Sequence, residues 1–130
     1  MRRITLTIIL LISATCADAA SYQKTDGTIV DPIQMEPEGD HPYSGNNLQP
    51  DADLIDADLQ YATLSNAFLS NAELRGADLR GADLTGATLH LTFLNQTDLR
   101  YANLTAADLF FANLSYAYLF NANLTAAYLS

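Results

Sequence analysis

The 130 residues of this chain allow at most one modest domain, and both ends differ in composition from the middle. Six basic residues against fifteen acidic ones leave a net charge of −9, which argues against direct binding to nucleic-acid phosphates. The single cysteine, Cys16, falls near the start of the chain in a segment with the features of a leader. A mature chain without it has no thiol or disulfide, so stability must come from packing and backbone hydrogen bonds.

Residues 1–19 read as a signal peptide. Met1-Arg2-Arg3 opens with positive charge, and Ile4 to Ile12 is a mostly apolar run of nine residues. Ala17-Asp18-Ala19 then places small residues where a signal peptidase inspects them. Cleavage is expected after Ala19, which leaves four basic and fourteen acidic residues and a net charge of −10. A membrane-spanning helix needs about 20 apolar residues, and polar residues arrive here by Ser13. No membrane span is therefore expected in the mature chain. Ser13-Ala14-Thr15-Cys16 departs from the Leu-Ala-Gly-Cys pattern of lipoprotein signals, so anchoring through Cys16 ranks below simple export. Arg2-Arg3 lacks the usual continuation of a twin-arginine signal, because Ile4-Thr5-Leu6 follows. The expected location is extracytoplasmic: periplasmic, lumenal or secreted.

Residues 20–50 form an acidic leader broken by Pro32, Pro37, Pro42 and Pro50, with little regular structure expected. Asp26-Gly27, between Tyr22 to Thr25 and Thr28 to Val30, suits a small hairpin. Tyr43 to Leu48 is positioned to fold over whatever follows as an N-terminal cap. Glu36, Glu38, Asp40 and His41 lack a second histidine or cysteine at zinc spacing and make no EF-hand loop, so a solvated linker is the expectation and no metal is assigned.

From Asp51 the chain repeats every five residues without a gap to Ser130. The fourth place of every repeat is leucine: Leu54, Leu59, Leu64, Leu69, Leu74, Leu79, Leu84, Leu89, Leu94, Leu99, Leu104, Leu109, Leu114, Leu119, Leu124 and Leu129. The second place is alanine in fourteen repeats and threonine in two, Thr92 and Thr97. On an α-helix a five-residue step advances about 500°, which scatters the leucines around every side. On a straight strand an odd step sends successive leucines to opposite faces. The chain must therefore turn once per repeat, with alanine and leucine inward, and wind into a coil.

Ala77-Asp78-Leu79-Arg80-Gly81 and Ala82-Asp83-Leu84-Thr85-Gly86 resemble the alanine, aspartate or asparagine, leucine, variable, glycine motif of pentapeptide-repeat proteins, and the resemblance covers residues 51–130. It implies an all-β fold, a right-handed quadrilateral β-helix with four pentapeptides per coil and the leucine and alanine inward. Sixteen repeats then make about four coils.

Residues twenty apart should stack as rungs. Asp58, Asp78 and Asp98 form one such column, Arg80 and Arg100 another on the same side, Thr85, Thr105 and Thr125 a third, and Tyr61 and Tyr101 a fourth. The arginines either offset repulsion among the stacked acids or simply share a solvated charged face with them. Gly76, Gly81 and Gly86 fall at successive corners, where positive φ is cheapest for a residue lacking Cβ. Their spacing does not suit a phosphate-binding loop.

The two ends of the repeat region differ. Asp51, Asp53, Asp56 and Asp58 gather at its start, whereas seven of its ten aromatic residues lie from Tyr101 onward. Of these, Phe110, Phe111, Tyr116, Tyr118, Phe120 and Tyr128 are the candidate interaction residues, expected in an exposed patch. Stacking ladders that only stabilise the last coil are the alternative. The chain stops at Ser130 within the repeat phase, and this edge is expected to engage an unknown protein partner or a second copy. Asn95, Asn103, Asn113 and Asn123 match the N-glycosylation pattern because the repeat generates it.

Outward acids on regular columns, with only His41 and His90 as histidines, make no catalytic constellation. No enzyme activity and no cofactor are expected. The leading expectation is an extracytoplasmic structural or protein-interaction module. The family resemblance implies one further role, mimicry of DNA by an acidic rod that binds a topoisomerase and protects it from inhibitors. The charge agrees with that role, and the export signal does not.

Overall fold

The computed structural model describes residues 48–130 in full, together with three two-residue strands earlier in the chain. These are β1 (Tyr22–Gln23), β2 (Ile29–Val30) and β3 (Gln34–Met35). The proposed signal peptide, the acidic set from Glu36 to His41, and residues 43–47 of the expected cap lie outside the described residues.

Each pentapeptide forms one side of a square coil. The leucine carbonyl accepts the N–H of the alanine three residues on, as from Ala57 to Leu54 at 3.2 Å and from Ala87 to Leu84 at 3.0 Å. The residue before that alanine has φ between 55° and 72° in all sixteen repeats. A closing hydrogen bond with positive φ at the third turn residue defines a type II turn. Glycine fills that corner only at Gly76, Gly81 and Gly86. Asp51, Asp56, Asn66, Asn71 and Asn121 tolerate the left-handed backbone through their short polar side chains. Leu91, Phe111 and Tyr116 have no such relief, and each such residue costs on the order of 1–3 kcal/mol unless its surroundings over-determine it.

At Leu91 a hydrogen bond between coils does so, its N–H donating to Phe110 O at 3.0 Å. Asp78 N donates to Ala57 O at 2.9 Å, Leu59 N to Asp78 O at 2.8 Å, and Tyr61 N to Arg80 O at 2.9 Å. This pattern recurs around the tube and stacks each residue on the one twenty further along, as in the parallel columns Asp58–Asp78–Asp98–Tyr118 and Thr88–Asp108–Tyr128. The first side thus comprises residues 51–55, 71–75, 91–95 and 111–115, and the second, third and fourth follow in steps of five.

The interior is the expected one of alanine and leucine. The fourth-place leucines from Leu54 to Leu109 are 0–1% exposed, and the core also holds Ala62 and Ala82. Thr92 and Thr97 occupy alanine places and are fully buried. Their hydroxyls donate to the turn carbonyls one coil earlier, Leu69 O at 2.9 Å and Leu74 O at 2.7 Å. No buried side-chain polar atom among the described residues lacks a partner.

The two rims differ. At the start, Leu48 is fully buried within the core cluster. β3 pairs antiparallel with β4 (Ala62–Thr63), matching Gln34 with Thr63 and Met35 with Ala62, so a strand edge of the first coil is covered. β1 and β2 pair as the expected hairpin, Tyr22 with Val30 and Gln23 with Ile29. Two of these three short strands thus answer the hairpin reading. The pairing of Gln34–Met35 onto the tube adds order where the prolines suggested none. In the last coil Leu114, Leu119 and Leu124 are only partly buried, and Leu129 is 56% exposed.

Candidate interaction faces

The second side carries the charged ladder. The third place of a repeat points outward and so does the fifth, two residues on, which lets an arginine fold back onto its own aspartate. Arg80 donates from Nε to Asp78 Oδ1 at 2.9 Å and from a terminal nitrogen to Oδ2 at 2.6 Å. It also reaches Gln60 Oε1 one coil earlier at 2.8 Å and lies 3.7 Å from Asp98 Oδ2 one coil later. Arg100 clasps Asp98 in the same way, at 2.8 Å and 2.5 Å. The hydrogen bond from Arg100 holds the Asp98 carboxyl below its ordinary range against partial burial, with help from the Arg100 N–H and both arginine charges. Asp78 and Asp98 are therefore neutralised by their own repeats, and the bidentate clasps are a specific structure beyond a diffuse solvated face.

The third side carries a counterpart built of hydroxyls and amides on one carboxylate. Ser65 Oγ donates to Asp83 Oδ2 at 2.5 Å and Thr85 Oγ1 to Asp83 Oδ1 at 2.6 Å. Asn103 Nδ2 donates to Thr85 Oγ1 at 2.8 Å, and Thr105 Oγ1 to Asn103 Oδ1 at 2.7 Å. The pattern repeats through Asn123 and Thr125 at 2.9 and 2.7 Å. Burial pushes the Asp83 carboxyl up, but the Ser65 and Thr85 hydroxyls and the Thr85 N–H outweigh it and hold the group below its ordinary range.

The six aromatic candidates are exposed, yet they do not form one patch. Tyr116, Tyr118 and Phe120 lie along the second side, 84%, 61% and 65% exposed. Tyr128 and Phe110 lie on the fourth, across the tube, with Phe111 at the corner that follows Phe110. The structure brings Phe110 and Phe111 together at 4.2 Å between centroids and stacks His90 on Phe110 at 5.5 Å and 7°. Phe120 meets Tyr101 edge-on at 6.0 Å. The split was readable in the spacing, since residues ten apart, such as Tyr118 and Tyr128, stand two sides apart. The stacked His90 was missed in the same way, although it precedes Phe110 by one coil. Among the described residues no group of three histidine, cysteine or acidic side chains is placed to hold a metal ion. No helix among them is long and apolar enough to cross a membrane.

A tube of twenty-residue coils with outward side-chain columns defines a right-handed β-helical repeat protein. The pentapeptide-repeat family matches residues 52–90 and 93–129 in eight copies, and the chain belongs to it. Members are in general structural or interaction modules. Among solved structures, Rfr23, a pentapeptide-repeat protein of the cyanobacterium Cyanothece 51142, is 25% identical with a TM-score of 0.46, over 75% of this chain and 78% of that one. A pentapeptide-repeat protein of the Arabidopsis thaliana thylakoid lumen is 26% identical with a TM-score of 0.35, over 63% and 62%. HetL of the cyanobacterium Nostoc sp. strain PCC 7120, involved in heterocyst differentiation regulation, is 35% identical with a TM-score of 0.36, over 65% and 40%. Comparison with curated proteins gives no match.

Proposed function

We propose that the chain is a non-catalytic, extracytoplasmic structural or protein-interaction module whose last described coil engages a protein partner or a second copy. The observation that carries this reading is the set of outward aromatic side chains on the later coils. Phe111, Tyr116, Tyr118, Phe120 and Tyr128 point outward and are more than half exposed. Exposed aromatic side chains of this size favour a docking role. The signal-like residues 1–19 support export. A reporter fused after Ala19 should leave the cytoplasm, and crosslinking of the mature chain should recover products through the last coil. Retention of the reporter would refute the compartment. A strictly monomeric chain without crosslinked partners would refute the docking.

The acidic balance favours a second reading, a DNA-mimicking topoisomerase-binding protein. The paired Asp78 and Asp98 count against it, because their charge is already answered by Arg80 and Arg100. The reading predicts competition with DNA for a topoisomerase in vitro, and absence of that competition would remove it.

A further inference from the structure

Three of the outward acids at the third place are answered by cationic or hydroxyl side chains. Asp78 and Asp98 each hold an arginine from the fifth place, and Asp83 holds two hydroxyls. On the fourth side Asp108 stands at the same place, but the residue two further on is Phe110. Asp108 Oδ1 accepts only the Phe110 N–H, at 3.0 Å, and its other oxygen has no partner among the described residues. Where the second side supplies an arginine, the fourth supplies aromatic walls.

Those walls border a shallow, open space. His90, Ala106, Asp108, Phe110 and Tyr128 line an open groove of about 470 Å³. Ala106 contributes the smallest side chain of the set. Tyr128 follows Asp108 in one stacked column, and Phe110 follows His90 in the neighbouring one. Phe111 packs against Phe110 at 4.2 Å and braces it. A carboxylate with a free oxygen between aromatic rings suits a cation that is planar, donates in a fork and stacks on rings, which describes guanidinium better than ammonium.

We propose that this groove binds an arginine side chain of a partner protein, the guanidinium completing at Asp108 the clasp that Arg80 and Arg100 make internally at Asp78 and Asp98. The net charge of −9 favours approach of a basic segment. The inference deepens the docking role by naming the chemistry of the partner. It does not depend on the compartment.

The test is titration of the ¹⁵N-labelled full chain with N-acetyl-arginine amide at pH 7.5, following backbone amide shifts. Parallel titrations use the citrulline analogue, which keeps the shape and loses the charge, and the lysine analogue. Saturable shifts confined to His90, Ala106, Asp108, Phe110 and Tyr128 are expected. Binding should weaken about tenfold for citrulline and about tenfold in Asp108→Asn, with a smaller loss for lysine. Asp51→Asn, which removes one charge elsewhere, should retain the affinity, and amide spectra of both variants show whether they fold. Equal shifts at all acidic sites, citrulline binding as well as arginine, or an unaltered Asp108→Asn titration would overturn the assignment. Lysine binding as well as arginine would overturn its guanidinium specificity. Binding of the probe by a chain that captures no protein would sustain this site while removing the docking role.

Discussion

Leu84 and Leu129 occupy the same place in their repeats, and truncating each to alanine separates burial from sequence. Leu84 is fully buried in the middle of the tube, and Leu129 is 56% exposed on the last coil. The truncation removes about three carbons, worth roughly 2.4 kcal/mol at about 0.8 kcal/mol per buried methylene. At Leu84 a cavity enclosed by neighbouring coils adds to this, for an expected loss of about 3–4 kcal/mol. At Leu129 less than half of that transfer energy is at stake and no enclosed cavity forms, so about 1 kcal/mol is expected. Because a domain of this size has on the order of 4–12 kcal/mol in total, Leu84→Ala should move the urea midpoint far down while Leu129→Ala barely shifts it. The assay is urea unfolding followed by circular dichroism at fixed protein concentration, so that any self-association is held constant. Equal losses at the two positions would refute the argument, since they would mean that the last coil is sealed in solution or that the tube interior is loosely packed.

Three further outcomes follow from the geometry. Gly81→Ala should lower stability by about 1–2 kcal/mol in thermal melts, because φ is +66° and an ideal Cβ would lie 2.6 Å from the Tyr61 ring. Thr97→Val keeps the shape but removes the donor to Leu74 O, with an expected loss of about 1 kcal/mol in urea titrations; a gain would show that the hydroxyl is a burden in the core. The folded-state pKa values of Asp83 and Asp98 are depressed, so both groups contribute stability above the unfolded value of about 3.9 and lose it as pH falls through their folded values. Asp98→Asn should accordingly flatten the acid limb of melting temperature against pH below about pH 4, and an unchanged limb would count against the ladder.

Much of this architecture was visible in the period of five, because a step that fits neither helix nor strand leaves only a chain that turns at every repeat. Inward leucines, stacked columns and glycine corners follow directly. What the letters concealed is conformational: Leu91 adopts the same left-handed corner as Gly81, since a hydrogen bond from its N–H to Phe110 O of the adjoining coil holds it there whatever the side chain prefers. Thr92 and Thr97 look like lapses in the alanine column until their hydroxyls are seen to reach a turn carbonyl 23 residues back. The groove at Asp108 joins residues as far apart as His90 and Tyr128, and only the twenty-residue stacking reveals their proximity. Asp108 itself differs from Asp98 by what stands two places later, a contrast that gains meaning only once Arg100 is seen folding back.

The ladder on the third side has a direction, and Asp83 sets it. A carboxylate owns no proton to give, so Ser65 and Thr85 must both turn theirs toward it. With its proton committed, the Thr85 oxygen can only receive, which orients the Asn103 amide, and the same logic passes to Thr105, Asn123 and Thr125. Each threonine hydroxyl is thereby turned onto the third-place oxygen of its own rung and each amide onto the storey before, and Thr125 offers lone pairs without a hydrogen. Whatever lies over Thr125, whether more chain or another molecule, must bring the donor.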